Sequence, residues 1–327
     1  MNKRIEYYEF LRGIAILMVI AIHTYISGNF ASVEGTISII SRQTLNCAVP
    51  IFLALSGFFL GRKNFDNTQS VVVFWKKQIP KVYIPCILWS LPLLVLDVCS
   101  GGVILWKKVF YMAMCGFSIY YFLALIIQYY LLLPLLQKHL KRNMIFSILI
   151  SAISICLITY ANTVRAMSLP LILYAGPFVV WFVFYMLGVY YSRIDRKYSL
   201  KYSIVVVLLG FFLECIETYF LNTRYTGGVG IKLSAFIYSY GVVLLVLHPQ
   251  SEAIYRKNIL TSCIAYIGKI SFGIYLIHCY FIPVVDRFFY STSWMLRWSL
   301  VSLFTIIFIA VVRKFLPQRI TKYIGFA

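Results

Sequence analysis

Long apolar runs separated by short polar or basic segments dominate the hydropathy pattern of the 327-residue chain. A helix needs about 20 mostly apolar residues to cross the roughly 30 Å hydrocarbon core of a bilayer. Such windows predict about ten helices, at residues 8–27, 45–61, 82–99, 117–136, 144–161, 171–191, 202–221, 232–247, 262–284 and 297–315. The pattern therefore predicts an all-α, polytopic helical bundle, with residues 1–327 forming a single transmembrane domain.

The composition excludes a soluble globular protein. Hydrophobic residues make up 61% of the chain, charged residues only 12%, and the mean hydropathy is +0.85. This leaves too little polar surface to cover a soluble domain. The net charge of +20 could suggest a nucleic-acid ligand, but the basic residues lie in short clusters between apolar runs and no nucleic-acid-binding signature is present. Membrane lipid, and not nucleic acid, is the expected partner.

The distribution of Lys and Arg predicts the orientation. An even number of helices places both termini on one side of the membrane. When that side is taken as cytoplasmic, 20 of the 30 Lys and Arg residues lie in inner segments, 8 lie in outer segments and 2 lie within helices. This asymmetry follows the positive-inside rule and predicts cytoplasmic termini. The first run carries ionisable residues and no cleavage pattern follows it, so we expect it to be a retained helix.

The first predicted helix carries three ionisable residues, Glu9, Arg12 and His23. At about 100° per residue, Arg12 and His23 differ by three turns and roughly 20°, so they share a face about 16 Å apart along the axis. Glu9 lies on the same side, three residues before Arg12. Ionisable groups are costly when they face lipid, so we expect this face to line the bundle interior or a wet cavity. Alternatively, Glu9 and Arg12 pair at the cytoplasmic surface and His23 bonds to another helix.

A second group of ionisable residues lies in the outward half of its helices: Glu214, Glu217 and His278. Glu214 and Glu217 are three residues apart and share a helix face. One of them could orient an imidazole, as a carboxylate does in activated acyl transfer. The alternatives are a structural ion pair for Glu214, a solvated acid for Glu217 and a packing role for His278.

The other polar residues suggest structural roles. Ser56 could in principle be a nucleophile, but it lies in "ALSGFF", which is more typical of small-residue helix packing. His139 and His248 fall near inner helix ends, where we expect them to be solvated. The eight cysteines are scattered without CxxC or zinc spacing, and no HExxH motif occurs. We expect no metal site and no tightly bound cofactor.

Four segments of the chain resemble a known family. "EFLRGIAILMVIAIH", at residues 9–23, resembles the opening helix of the acyltransferase type 3 family, integral membrane enzymes that acylate cell-surface glycans and related acceptors. An arginine and a histidine separated by ten residues mark that helix, and an acidic residue commonly precedes the arginine by three positions. Arg12, His23 and Glu9 match these positions.

Three further segments match in the expected order and extend the resemblance over nearly the whole chain. "VPIFLALSGFFLGRK" (49–63) resembles the second-helix segment, "FWKKQIPKVYIPCILW" (74–89) the basic start of the third helix, and "ISFGIYLIHCYFI" (270–282) a late helix with a Ser-x-x-x-Tyr-Leu-x-His pattern. The basic third-helix segment is lysine-rich here, whereas the family usually has arginine. No esterase-like domain is expected after the last helix, so the chain resembles the stand-alone transmembrane module.

The resemblance implies transfer of an acyl group, acetyl being the commonest in the family, from cytoplasmic acyl-CoA to a hydroxyl of a cell-surface or lipid-linked glycan. His23 is the expected general base, because neutral imidazole accepts protons near neutral pH. Arg12 could hold a donor phosphate or carbonyl, or fix Glu9. The donor phosphates are expected at a cytoplasmic basic cluster: Arg62, Lys63, Lys76, Lys77 and Lys81. Direct transfer is favoured over a covalent acyl-enzyme.

Two other functions stay open from the sequence. A transporter or flippase for a glycolipid or small molecule could use Glu214, Glu217 and His278 as an ion path. In an acyltransferase as in a transporter, the same three residues are candidates for substrate binding. Such proteins often contain inverted repeats and broken helices, which the sequence does not reveal. An inactive relative could instead act as an assembly partner. The resemblance implies a multi-pass protein of a bacterial cytoplasmic membrane.

Overall fold

Helices form all the regular structure in the described part of the chain. A computed structural model describes residues 3–26, 28, 30–103, 105–167, 169–195, 198–225, 230–289 and 293–326. The helices are α1 (Lys3–Thr24), α2 (Val33–Gln43), α3 (Ala48–Leu60), α4 (Thr68–Cys99), α5 (Trp106–Ala113), α6 (Tyr121–Leu136), α7 (Leu140–Thr159), α8 (Leu171–Tyr174), α9 (Phe178–Arg193), α10 (Leu200–Arg224), α11 (Leu233–Leu247), α12 (Pro249–Ile254), α13 (Ile259–Lys269), α14 (Ser271–Phe288), α15 (Trp294–Phe315) and α16 (Gln318–Tyr323). The expected all-α class is confirmed for these residues.

Each of the ten predicted windows overlaps at least one helix. Five described helical segments are long and apolar enough to cross a membrane: Val33–Leu60, Thr68–Cys99, Leu140–Val164, Leu200–Arg224 and Trp294–Phe315. The pair α13 and α14 makes a sixth if its two bent halves form one span. The protein is therefore an integral membrane protein with several spanning helices. The count of about ten and the cytoplasmic termini stay predictions, and Ser27, at the end of the first window, lies outside the described residues.

The second helical segment is longer than the window at 45–61. It begins at Val33, and a 3₁₀ turn at Thr44–Cys47 joins α2 to α3. Ser32 caps its start, because the serine side chain accepts the backbone N–H of Gly35 at 3.0 Å. Arg42 is one of the eight basic residues counted above in outer segments between helices, and that assignment is wrong: Arg42 lies in a helix and is buried.

The window at 262–284 is broken rather than straight. α13 and α14 meet at Ile270 with a bend of 80°. Ile270 has a φ of −98° and a ψ of 8°, which is far enough from helical values to interrupt the regular hydrogen-bond pattern. The prediction of one continuous helix is therefore wrong at this position. The bend brings the last residue of α13 and the first residue of α14 to the same point in the bundle.

α1 is central in the bundle and packs against α3, α13, α14 and α15. The helices at the periphery are different: no more than 22% of the apolar windows of α4, α7, α10 and α15 is buried, against 56% for the segment Val33–Leu60. Apolar side chains on the peripheral helices consequently face the lipid. The polar residues of interest lie either on the inner helices or, as Glu214 on α10 does, on the inward side of a peripheral helix, where lipid does not reach them.

Two glycines allow α3 and α9 to approach closely. A Cβ atom on Gly57 would lie 2.3 Å from the carbonyl oxygen of Tyr185, and one on Gly188 would lie 2.0 Å from that of Ala54. No larger residue fits without separating the helices, since real contacts at such positions exceed 3 Å. Gly57 thus provides the small-residue packing that is typical of this segment.

α1 and α13 meet in the same way. A Cβ atom on Gly13 would lie 2.0 Å from the carbonyl oxygen of Ile264, and one on Gly268 would lie 1.8 Å from that of Glu9. The backbones of the two helices are therefore in direct contact beside Arg12. This contact fixes the position of α13, and with it the position of the bend at Ile270.

We expect Gly188→Ala to destabilise the protein by about 1–3 kcal/mol, because the added methyl group forces α3 and α9 apart. The measurement is the melting temperature in detergent, followed by size-exclusion chromatography of heated samples. Gly230→Ala is the matched control, since no described atom lies within 4 Å of its Cβ position. Equal melting temperatures for the two variants would contradict the packing described here.

Candidate active site

A cavity of about 480 Å³ lies inside the bundle, and both Arg12 and His23 line it. The two residues are about 16 Å apart along α1, as their separation in the helix requires. The cavity therefore extends along α1 from an arginine end to an imidazole end. Its lining also includes residues of α2, α3, α4, α6, α9, α11 and both sides of the α13–α14 bend.

The lining of the cavity is strongly basic. Four cationic side chains contribute to it, Arg12, Arg42, Lys81 and Lys269, whereas none of the described lining residues is Asp or Glu. Arg42 is buried, Arg12 is half-buried, and Lys81 and Lys269 are exposed. Cations that line an apolar cavity attract anions, because low-dielectric walls concentrate their field. The cavity is therefore suited to an anionic ligand.

Two contacts hold the Arg12 side chain. Its Nη1 atom donates to Glu9 Oε1 at 2.9 Å, and the guanidinium lies 5.2 Å from the ring centroid of Phe59 on α3. Glu9 is not part of the described cavity lining. The carboxylate thus fixes Arg12 from behind the wall, while Arg12 itself faces the cavity.

The predicted basic cluster is divided by the structure. All three lysines of α4 are exposed, but only Lys81 lines the cavity, whereas Lys76 and Lys77 lie outside the described lining. Arg62 is also exposed, and its guanidinium lies 4.7 Å from the centroid of the Phe58 ring. The cluster therefore contributes only Lys81 to the cavity wall.

Lys269 is a cavity residue that the sequence reasoning missed. It is the last residue of α13, directly before the bend, and the preceding Gly268 touches the backbone of α1 at Glu9. This contact places Lys269 at the Arg12 end of the cavity. A lysine in an apolar helix was the available signal, but its partner surface depends on the bend, which the sequence did not predict.

His23 and His278 meet at the other end, where their ring centroids are 5.3 Å apart. His278 is fully buried, and its Nδ1 atom lies 3.0 Å and 2.9 Å from the carbonyl oxygens of Ile274 and Tyr275. Carbonyl oxygens only accept hydrogen bonds, so Nδ1 carries the hydrogen and Nε2 is an acceptor. Nε2 has no hydrogen-bond partner among the described residues. His278 thus lies behind His23 and outside the described cavity lining.

A buried polar network lies beside the imidazole end. Glu214 Oε1 accepts from Lys232 Nζ at 3.2 Å and from Asn46 Nδ2 at 2.6 Å. Lys232 Nζ also donates to Gln43 Oε1 at 2.7 Å, and Arg42 Nη1 donates to Asn46 Oδ1 at 2.7 Å. Glu214 and Lys232 are both fully buried. The network joins α2, α10 and α11, and Arg42 and Asn46 present it to the cavity.

Glu217 has a structural role in the described structure. It accepts a hydrogen bond at 2.9 Å from the backbone N–H of Ser234, and it also accepts one from the Ser234 hydroxyl. Ser234 lies in the first turn of α11, where a carboxylate balances the partial positive charge of the helix. Neither Glu217 nor Glu214 forms a hydrogen bond or ion pair with His23 or His278, so the expected imidazole–carboxylate pair is not formed here.

The remaining candidates divide as follows. His139 is exposed, as expected. His248 is buried, so the expectation that it is solvated is wrong: its Nδ1 atom accepts the Gln250 N–H at 3.1 Å and its Nε2–H donates to the Tyr198 carbonyl at 3.0 Å. Ser56 lines the cavity, while the packing contact belongs to Gly57.

The comparison with known families places the chain. A family model described as an acyltransferase domain matches residues 5–314, nearly the whole chain. No curated protein and no solved structure matches the sequence. The matched range contains every cavity residue named above.

We expect Lys232→Met to destabilise the protein by about 3–5 kcal/mol, because it leaves the Glu214 carboxylate buried without its cation. The double variant Lys232→Met/Glu214→Gln removes both charges, and we expect it to melt at a higher temperature than Lys232→Met alone. Thermal melts of the wild type, the two single variants and the double variant give the coupling energy. Additive effects of the two substitutions would show that the pair is not coupled.

Proposed function

Because the chain belongs to the acyltransferase type 3 family, we propose that it moves an acyl group, most simply acetyl, from cytoplasmic acyl-CoA to a hydroxyl of a cell-surface or lipid-linked glycan. The observation that carries this proposal is one cavity with four cations, no described carboxylate and a histidine at one end. As a member of this family, the protein is an acyltransferase that transfers groups other than amino-acyl groups. Beyond family membership, we propose the identity of the donor, the identity of the acceptor and the roles of the residues.

The donor fits the charge and length of the cavity. Acyl-CoA carries several phosphate charges at one end and a thioester at the other. Arg12, Lys81 and Lys269 would hold phosphate oxygens by charge-assisted hydrogen bonds. The pantetheine arm would then extend along α1, over about 16 Å, to bring the thioester to His23.

His23 would act as the general base. Its neutral imidazole accepts the proton of the glycan hydroxyl while the hydroxyl oxygen attacks the thioester carbonyl carbon. The carbon–sulfur bond then breaks, and the CoA thiolate takes the proton back from the imidazolium. The products are the ester and free CoA thiol, so no acyl-enzyme is required.

His278 would orient the base. Its Nδ1–H is held by two carbonyl oxygens, so only its Nε2 acceptor is available beside His23. A hydrogen bond from one His23 N–H to this acceptor would leave the other His23 nitrogen free for proton transfer. The arrangement supplies the orientation that a carboxylate gives in other acyl-transfer sites.

The transporter alternative is less well supported. An ion path needs titratable groups along the cavity, but Glu214 and Glu217 are engaged with Lys232 and Ser234 in the wall. The bend at Ile270 is a broken helix, a feature that transporters also use. A strongly cationic lining with a histidine fits a polyanionic donor better than a path for protons or cations.

We place the protein in a bacterial cytoplasmic membrane, where cytosolic acyl-CoA is available.

We expect membranes containing the wild-type protein to transfer label from radiolabelled acetyl-CoA to surface glycan, and His23→Ala to reduce this transfer by a factor of about 10²–10⁴. His139→Ala is the matched control, because His139 is an exposed histidine outside the cavity. All three proteins are compared at equal abundance. Equal labelling by His23→Ala and the wild type would remove His23 from the mechanism, and exchange of lipid-linked glycan without any acyl donor would favour the transporter.

We expect Lys81→Gln/Lys269→Gln to raise the KM for acetyl-CoA about tenfold or more with little change in kcat, because phosphate contacts bind ground state and transition state equally. The matched control is Lys76→Gln/Lys77→Gln, which removes the same charge outside the cavity. Initial rates over a range of acetyl-CoA concentrations give both constants. A larger KM for the control pair would place the donor phosphates outside the cavity.

A further inference from the structure

Arg42 is a buried cation at the imidazole end of the cavity. Only 7% of it is exposed, it belongs to the cavity lining, and its guanidinium lies beside the ring of Tyr25, two residues after His23. The phosphate-binding cations of the proposed function lie toward the other end. Arg42 is thus a charged group that the steps described so far do not use.

Rigid partners hold Arg42 in place. Its Nη1 atom donates to Asn46 Oδ1 at 2.7 Å, one helical turn further along the same segment. Asn46 is itself held by Glu214, which pairs with Lys232. On its other side the guanidinium lies 6.0 Å from the ring centroid of Tyr25. Because Asn46 is anchored by the fully buried pair Glu214 and Lys232, the direction of the guanidinium is fixed before any ligand binds.

The guanidinium keeps donors available for a ligand. An arginine has five N–H donors and no acceptor, and Asn46 is the hydrogen-bond partner that the described residues provide. No described carboxylate forms an ion pair with it. A cation buried with unused donors is costly unless an oxygen atom or a negative charge completes its surroundings. The remaining Arg42 nitrogens are not among the buried atoms that lack a partner, so they open onto the cavity, where a ligand or the reacting atoms can meet them.

We propose that Arg42 is a catalytic residue that donates hydrogen bonds to the thioester carbonyl oxygen as this oxygen becomes negative. The inference rests on the proposed function, since it takes acyl-CoA as donor and His23 as base. The glycan oxygen forms a bond to the carbonyl carbon, the hydroxyl proton moves to His23, and the electron pair of the carbonyl double bond moves to the oxygen beside Arg42. When the double bond re-forms, the carbon–sulfur bond breaks, and the leaving thiolate takes the proton from His23.

The position of Arg42 favours this role over two others. The phosphates of a donor held by Arg12 are about 16 Å from His23, so they do not need Arg42. A guanidinium does not lose its proton in a protein, so Arg42 is not the base. Donors fixed toward a developing negative charge need no reorganisation during the reaction, which is the main source of their effect.

The test compares Arg42→Ala and Arg42→Lys with the wild type in the acetyl-CoA labelling assay, at equal abundance and with melting temperatures measured. We expect Arg42→Ala to lower kcat by about 10²–10³-fold and to leave the KM for acetyl-CoA within about twofold. Added guanidinium ion at millimolar concentration should raise the kcat of Arg42→Ala at least tenfold, because the ion can occupy the space that the arginine side chain vacates. His23→Ala is the matched control, which guanidinium should not rescue.

The outcomes separate the two proposals. If the wild type gives no labelling, the proposed function fails and Arg42 loses its role with it. If His23→Ala labels as fast as the wild type, His23 is not the base, and the proposal for Arg42, which takes His23 as the base, is overturned. If the wild type is active and Arg42→Ala keeps the wild-type kcat, the inference alone is overturned. A loss of kcat without guanidinium rescue would assign Arg42 to structure, and a raised KM for the acceptor with unchanged kcat would assign it to binding an anionic acceptor. If Arg42→Ala does not accumulate, Arg42→Gln, which keeps a donor for Asn46, replaces it in the kinetic measurement, where a wild-type kcat would overturn the inference.

Discussion

The backbone contact between α1 and α13 positions most of the site. Gly13 and Gly268 let the two helices touch directly, with no side chain between them. Since α13 is fixed against α1 and the chain bends at Ile270, α14 must continue from that point and pass beside the far end of α1. One contact therefore brings Lys269 to the Arg12 end of the cavity and His278 to the His23 end.

Charged groups inside this apolar bundle follow two different rules. Within the wall, a charge is matched by a charge: Glu214 pairs with Lys232, and both are removed from water. In the cavity, the cations have no described carboxylate in the lining, although Glu9 holds Arg12 from behind. A buried ion pair mainly specifies how helices fit together, whereas an unmatched cation provides a binding surface. The separation of the two kinds of charge distinguishes the scaffold from the site.

The helices and one wall of the site could be predicted from the sequence because they depend on local patterns. Apolar runs indicate helices, and the period of a helix places Arg12 and His23 on one face. The role of Arg42 could not be predicted in this way. The residues around Arg42 are too polar to be recognised as a membrane span. Its partner Asn46 is held by Glu214, which is far away in the chain. The serine cap before α2 was the local signal that the helix begins earlier. Lys269 was missed because its environment depends on a bend that apolar periodicity does not reveal.

The bend at Ile270 also bears on how the chain is threaded through the membrane. α13 has 11 residues and is about 16 Å long, whereas α14 has 18 residues and is about 27 Å long. Against a hydrocarbon core of roughly 30 Å, only α14 is close to a full crossing. An angle of 80° then turns α13 nearly parallel to the bilayer plane when α14 stands upright. The break therefore brings Lys269 to the cavity without adding a membrane crossing. The chain that follows α14 lies on the same side of the membrane as it would after one straight helix.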